Sequence, residues 1–165
     1  MEYIWSPWRM VYMQSNMSLI DCIFCTEQSK PDGFDNLIIH RGSNAYVILN
    51  RYPYTTGHLM TVPYIHEAQI ESLEPLIRAE IMELTSKSIQ VLKSVYKPHG
   101  FNVGINLGEV AGAGILSHIH LHVVPRWKGD TNFMSTLGQT RVLPETLDTS
   151  YQRILDAWQN MNEKI

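Results

Sequence analysis

The chain has 165 residues, a formal net charge of -3 and two cysteines. That length suits one domain with its own core, two cysteines cannot build a disulfide scaffold, and the lack of a basic run argues against a nucleic-acid backbone as main partner, since that binding needs clustered Lys and Arg. No apolar run reaches membrane-spanning length and Met1-Glu2-Tyr3-Ile4-Trp5 lacks the regions of a signal peptide, so the expectation is a cytoplasmic protein, where paired thiols more often hold a metal than each other.

Two of the four tryptophans fall in the arm Trp5-Ser6-Pro7-Trp8-Arg9-Met10-Val11-Tyr12-Met13, before any periodic element begins. Such an arm packs onto its own core, a second subunit or a ligand. Cys22-Ile23-Phe24-Cys25 is a CxxC, followed by a polar loop through Lys30-Pro31-Asp32-Gly33 that reads as a turn. Residues 37–41 and 45–50 are β-rich runs separated by Gly42-Ser43-Asn44, an antiparallel hairpin. Residues 51–57 form a loop, and His58-Leu59-Met60-Thr61-Val62 is a third strand stopped by Pro63. A long helix is expected from near Ser72, with Pro75 in its first turn, to about Tyr96. Its core stripe is Leu73, Ile77, Ile81, Leu84, Val91 and Val95, with Glu74, Glu80, Lys87 and Lys93 mostly off it.

Pro98 and Gly100 end that helix, and residues 101–106 form a fourth strand. The following loop, Gly108-Glu109-Val110-Ala111-Gly112-Ala113-Gly114, has three glycines in seven residues; such a loop lets backbone approach a ligand and aim N–H groups at an anion. A fifth strand and a final helix from about Thr146 complete the chain, the helix carrying Leu147, Tyr151, Ile154, Leu155 and Trp158 on one stripe. There is no internal repeat and no domain boundary: residues 1–165 read as one α+β domain, a five-stranded antiparallel sheet with the long helix on one face and the C-terminal helix as an accessory.

The fifth strand carries the chemistry. In Ser117-His118-Ile119-His120-Leu121-His122-Val123-Val124-Pro125-Arg126, three histidines alternate with apolar residues. That period of two is the mark of a half-buried strand with a row of imidazoles on one face. Imidazole at neutral pH is a nucleophile, a proton carrier and a metal ligand. Two enzymatic readings are therefore open: a zinc hydrolase in which the three histidines ligate a catalytic metal, and attack by the central ring on phosphorus while its neighbours hold phosphate oxygens. A nucleotide-binding or regulatory module without turnover is a third.

His118-Ile119-His120-Leu121-His122-Val123-Val124 resembles the His-φ-His-φ-His-φ-φ signature, φ being apolar, of the histidine triad (HIT) superfamily of nucleotide hydrolases and transferases. The likeness extends to residues 50–63, similar to the family's nucleoside-binding strand pair, and to Gly104-Ile105-Asn106-Leu107-Gly108 with the glycine loop, where the family contacts phosphates. The aromatic arm, the CxxC and residues 125–133 resemble bacterial, zinc-bearing members related to diadenosine tetraphosphate phosphorylase. Two features depart from relatives. The interval from Gly112 to His118 is one residue longer than in the common hydrolase branch, and Asn106 stands where dinucleoside-triphosphate hydrolases usually carry glutamine. Both leave the acceptor, water or phosphate, and the polyphosphate length open.

The resemblance implies an enzyme that hydrolyses or phosphorolyses dinucleoside polyphosphates or related nucleoside phosphates. It implies His120 as nucleophile at the α-phosphorus, His122 as the group that binds phosphate oxygens and helps protonate the leaving group, and His58 as the residue orienting the nucleophile's ring. Asn50 is implied for the ribose hydroxyls, and Asn106, Gly112 and Gly114 for the phosphates. Arg126, at the strand's exit, can face a polyphosphate or make a surface ion pair. A structural Zn2+ held by Cys22, Cys25, His66 and His118 is implied as well, which makes the first histidine of the row structural, and so is a homodimer with the aromatic arm as a candidate contact. His40 and His99 are assigned no role.

Overall fold

The computed structural model describes residues 22–130 and 143–162. The aromatic arm around Trp5 and Trp8, and Thr131, Asn132 and Phe133, lie outside the described residues. The fold is a five-stranded antiparallel sheet in the order β1-β2-β3-β5-β4. Its strands are β1 (Ile38–Arg41), β2 (Ala45–Leu49), β3 (Leu59–Pro63), β4 (Gly100–Ile105) and β5 (Leu121–Arg126). Among the described residues three α-helices accompany it: α1 (Ile23–Ser29), α2 (Pro75–Tyr96) and α3 (Leu147–Asn162). Among the described residues no helix is long and apolar enough to cross a membrane.

The central strands β2 and β3 are buried along their whole length. Ile81, Leu84, Val91 and Leu92 of α2 are buried with Tyr46, Val62, Leu121 and Val123 in one contiguous core. Two hydroxyls sit on the helix's buried stripe and are satisfied locally, Thr85 donating to the Ile81 carbonyl and Ser88 to that of Leu84, both at 2.7 Å. The helix begins at Pro75 rather than near Ser72, because Ile70–Ser72 forms a separate 3-10 turn and proline at the first helical position loses no hydrogen bond. Glu80, off the stripe, reaches back to the β1–β2 turn. Its carboxylate accepts from the Ser43 N–H at 2.6 Å and from the Asn44 backbone and side-chain N–H groups at 2.8 and 2.7 Å. The last helix is part of the core, with Tyr151, Ile154 and Trp158 buried and the Tyr151 hydroxyl donating to the Ile38 carbonyl.

Two elements differ from the expectation. The CxxC, to which the sequence assigns no helix or strand, opens a seven-residue helix, α1, that starts at Ile23. The histidine strand starts at Leu121, so His118 and His120 precede it. The ladder stops there for a physical reason. Register pairs Thr61 with Leu121; further along β3, Pro63 has no N–H to give, its carbonyl lies 2.9 Å from His118 Nε2, and the Ile119 N–H donates instead to Glu67. The alternation survives this irregular entry, since Ile119, Leu121 and Val123 remain on the buried apolar side.

Candidate active site and metal centre

Two of the three imidazoles in the row are buried, and His122 is half-buried. His118 is fully buried and His120 is 6 % exposed, because Phe24 of α1 packs against both rings, with centroids 5.4 and 4.9 Å away. Burial lowers the pKa of both imidazoles, that of His118 to about 4 despite its hydrogen bond to Pro63, so both are neutral at pH 7. Neutral rings make the tautomers readable from their partners.

His58, immediately before β3, is also buried, and its Nδ1 accepts the Tyr54 backbone N–H at 3.1 Å and lies 3.2 Å from the Asn50 side-chain nitrogen. An Nδ1 used as acceptor places the proton of the neutral ring on Nε2. That nitrogen is 2.9 Å from His122 Nδ1, so His58 donates to His122, whose proton in turn sits on Nε2. His120 has the opposite tautomer: its Nδ1 is 2.9 Å from the His118 carbonyl, to which it must donate. The Nε2 lone pair of His120 is left available. With the two ring centroids 4.9 Å apart, the pair presents one nucleophilic nitrogen beside one N–H donor.

Both rings line a cleft with Asn50, Asn106, Gly112 and Gly114 at its polar side and Leu37, Ile48, Leu49 and Met60 among its apolar walls. The expected substrate residues thus converge, with qualifications of detail. The Asn50 amide is shared between the cleft, the Tyr52 N–H, which it accepts at 2.9 Å, and His58. The Asn106 amide donates to the Gly112 carbonyl. Gly112 lies at φ 88° in a tight turn whose N–H groups are partly spent internally, Gly112 on Glu109 and Ala113 on Gly108. Arg126 is not brought to the cleft. Its guanidinium grips Asp130 at 2.6 and 2.8 Å and the Asn102 side-chain oxygen at 2.6 Å, so of its two expected settings the structure shows the ion pair. Of the unassigned histidines, His40 stacks on Trp158 and His99 Nδ1 accepts the Lys128 N–H.

On the far side of His120 from His122, Cys22, Cys25, His66 and His118 converge, with all four ligand atoms within 4.8 Å of one another. His118 Nε2 is committed to the Pro63 carbonyl, which turns Nδ1 toward the thiols, 3.4 Å from Cys22 Sγ and 3.6 Å from Cys25 Sγ; His66 Nδ1 is 3.3 Å from Cys25 Sγ. A tetrahedral zinc ion with bonds of about 2.3 Å to sulfur and about 2.0–2.1 Å to nitrogen sets S···N edges of about 3.5 Å. The four residues fit that ion. Burial and the neighbouring Cys22 thiol push the Cys25 thiol up to about 11; a divalent cation acts in the opposite sense, holding thiolates. Among the described residues this is the only such group of four, and the three histidines of the row form no common ligand set.

Phe24, Glu27 and Tyr54 also line the cleft, and sequence reasoning missed them. Phe24 and Glu27 stand three apart, one face of a helix, but seven residues give too little periodicity to reveal it. Tyr54 stacks against His58 and His122 with centroids at 4.6 and 5.8 Å, a contact that no local pattern announces.

Residues 34–129 match the sequence profile described as HIT domain. The chain belongs to the HIT domain family. It is 40 % identical over 165 residues to a Mycobacterium tuberculosis protein named AP-4-A phosphorylase, covering 96 % of this chain and 85 % of that one. It is also 27 % identical over 93 residues to the bis(5'-nucleosyl)-tetraphosphatase (asymmetrical) of Schizosaccharomyces pombe, covering 56 % of this chain and 50 % of that one. Among solved structures it is similar to a Zn-bound histidine triad family protein from Mycobacterium smegmatis, with a TM-score of 0.70, 25 % identity and coverage of 88 % of this chain and 99 % of that one.

Proposed function

We propose that this chain is a nucleotidyl hydrolase or transferase that cleaves dinucleoside polyphosphates, of the diadenosine tetraphosphate type, through a nucleotidyl-histidine intermediate. One observation carries the reading: His120 Nδ1 is 2.9 Å from the His118 carbonyl, leaving Nε2 as an unprotonated nucleophile at the cleft. The relatives named AP-4-A phosphorylase and bis(5'-nucleosyl)-tetraphosphatase favour the same substrate class.

In the first step the His120 Nε2 lone pair forms an N–P bond to the α-phosphorus, and the P–O bond to the leaving polyphosphate breaks with its electron pair on oxygen. The Nδ1–H bond to the His118 carbonyl stabilises the positive ring that results. His122 donates its Nε2–H to a phosphate oxygen, stabilising charge where it develops. His58, fixed by the Tyr54 N–H, holds His122 in that tautomer. In the second step an oxygen of phosphate, or of water that gives up a proton to solvent, attacks phosphorus and the N–P electron pair returns to His120. Splitting one displacement into two is the gain from the covalent route. Asn50 serves the ribose, and Asn106, Gly112 and Gly114 the phosphates. Arg126 stands outside this set, its charge already matched by Asp130.

Cys22, Cys25, His66 and His118 would hold a structural zinc, which contributes folding free energy and takes no part in the chemistry. The chain is a single domain that works as a cytoplasmic homodimer. In support of the dimer, β4 is an edge strand among the described residues, with Val103 43 % exposed, followed by Leu107 at 46 %, an apolar edge of the kind that a second copy covers.

The test is incubation with diadenosine tetraphosphate with and without inorganic phosphate. Phosphate-dependent ADP plus ATP identifies a phosphorylase, and AMP plus ATP a hydrolase. Denaturing quench at alkaline pH, where the N–P bond survives, should trap a nucleotidyl adduct on the peptide containing His120, and His120→Ala should lose turnover by about 10³-fold or more while still binding nucleotide. No adduct under single-turnover conditions, with activity lost to chelators and restored by zinc, would transfer the reaction to a metal. Nucleotide affinity without turnover would make the protein a binding module.

A further inference from the structure

Glu27 is an anomaly in the cleft. It lies on α1 in the same helical face as Ile23 and Phe24, it lines the cleft whose apolar walls include Leu37, Ile48 and Met60, and it is 7 % exposed. A carboxylate in such surroundings is costly unless its oxygens are satisfied. One is: Oε1 lies 2.8 Å from Lys30 Nζ. The other, Oε2, is shielded from solvent and has no hydrogen-bond partner. Rotation about the last side-chain torsion exchanges the two oxygens, but Lys30 still takes one of them and leaves one acceptor over.

We propose that Glu27 is the specificity-determining residue of the cleft, accepting a hydrogen bond from the exocyclic amino group of a nucleobase and so selecting a 6-aminopurine edge over a 6-oxopurine edge. This rests on the nucleotide reading given above and deepens it. The cleft supplies both halves of base recognition: apolar walls for the faces of the ring and a single acceptor for its edge. Adenine presents one amino group at that edge and satisfies the lone oxygen. Hypoxanthine presents a carbonyl at the same position, which would face the carboxylate with like partial charge. Guanine presents two adjacent donors that match a carboxylate with both oxygens free, and here Lys30 has claimed one. A site with a buried acceptor rejects a ligand that cannot fill it far more strongly than an apolar pocket rejects a misfit.

Calorimetric titration of the wild-type protein with AMP, IMP and purine riboside 5'-monophosphate tests the inference without any variant. AMP should bind about tenfold or more tightly than either of the others, the difference expected for a hydrogen bond to a charged group. In Glu27→Gln, whose amide offers both a donor and an acceptor in the same shape, the ratio of AMP to IMP affinity should fall to within about threefold. A residue that merely stabilised α1 would alter both affinities together and leave their ratio alone. Equal binding of AMP and IMP by the wild type overturns the inference while leaving the nucleotide site in place, as does a wild-type ratio retained by Glu27→Gln. Binding of none of the three nucleotides overturns the nucleotide reading itself, and this inference with it.

Discussion

His58 Nε2 lies 2.9 Å from His122 Nδ1, and because the Tyr54 backbone N–H occupies His58 Nδ1, the bond between the two rings runs in one direction only. A backbone N–H cannot change its role, so it sets the tautomer of two side chains in series. The donor that His122 offers to the cleft is therefore determined two residues away from the substrate.

His58→Leu keeps the volume of a fully buried position while removing both ring nitrogens. Turnover should fall by about 100-fold, the scale of a misplaced catalytic group, while nucleotide affinity shifts by less than about threefold, since His58 lies behind His122 and not in the cleft wall. Steady-state kinetics with parallel binding measurements decide it. Unchanged kcat would mean that His122 holds its tautomer unaided.

The metal centre predicts about one zinc per chain in freshly purified protein, with loss of that zinc and a drop in melting temperature of at least about 5 °C in Cys22→Ser. Elemental analysis and thermal unfolding check both. Protein without zinc, or a variant melting with the wild type, would end the assignment.

Arg126→Ala should leave KM for a dinucleoside polyphosphate within about twofold, because the guanidinium serves structure and not substrate. Its partner gives the pH dependence. The hydrogen bond from Arg126 holds the Asp130 carboxyl down to about 2 from its ordinary 3.8. The folded state thus prefers the ionised carboxylate, and the contribution is present above pH 4 and lost as pH falls from about 4 to about 2. Arg126 is 39 % exposed at its side chain, so the pair is worth about 1 kcal/mol or less. Asp130→Asn should melt a few degrees, about 2–4 °C, below wild type at pH 7, and the two curves should draw together below pH 4 and converge near pH 2. A gap that stays constant with pH would show that the charge is irrelevant.

The chemistry of the site was legible because it lies on consecutive residues. Alternation from His118 to Val123 is a local pattern, and it survives although the regular ladder begins only at Leu121. The convergence of Cys22, Cys25, His66 and His118 was reached through family resemblance, since no spacing rule joins residues 22 and 118. What could not be read depends on contacts between distant elements. Glu80 looks like a solvated helix residue until the turn at Ser43 and Asn44 is placed beneath it. Arg126 is committed by Asp130, four residues ahead, as much as by Asn102 on the neighbouring strand. The helix α1 carries Ile, Phe, Cys and Thr, poor helix formers, and Cys22 at its start makes no side-chain cap; tertiary packing of Phe24 on the histidines holds it.

The separation of 96 residues between Cys22 and His118 also has a consequence in time. A chain made from its N-terminus at about 5–20 residues per second completes this ligand set roughly 5–20 s after its first cysteine emerges. Until residue 66 emerges the two thiols lack both imidazoles of the set, and from there to residue 118 they lack one. The four-residue cluster therefore closes only once His118, at the entry to β5, is in place. A ribosome-bound chain halted before residue 118 should leave both cysteines open to alkylation, and protection already present at that length would contradict this order of assembly.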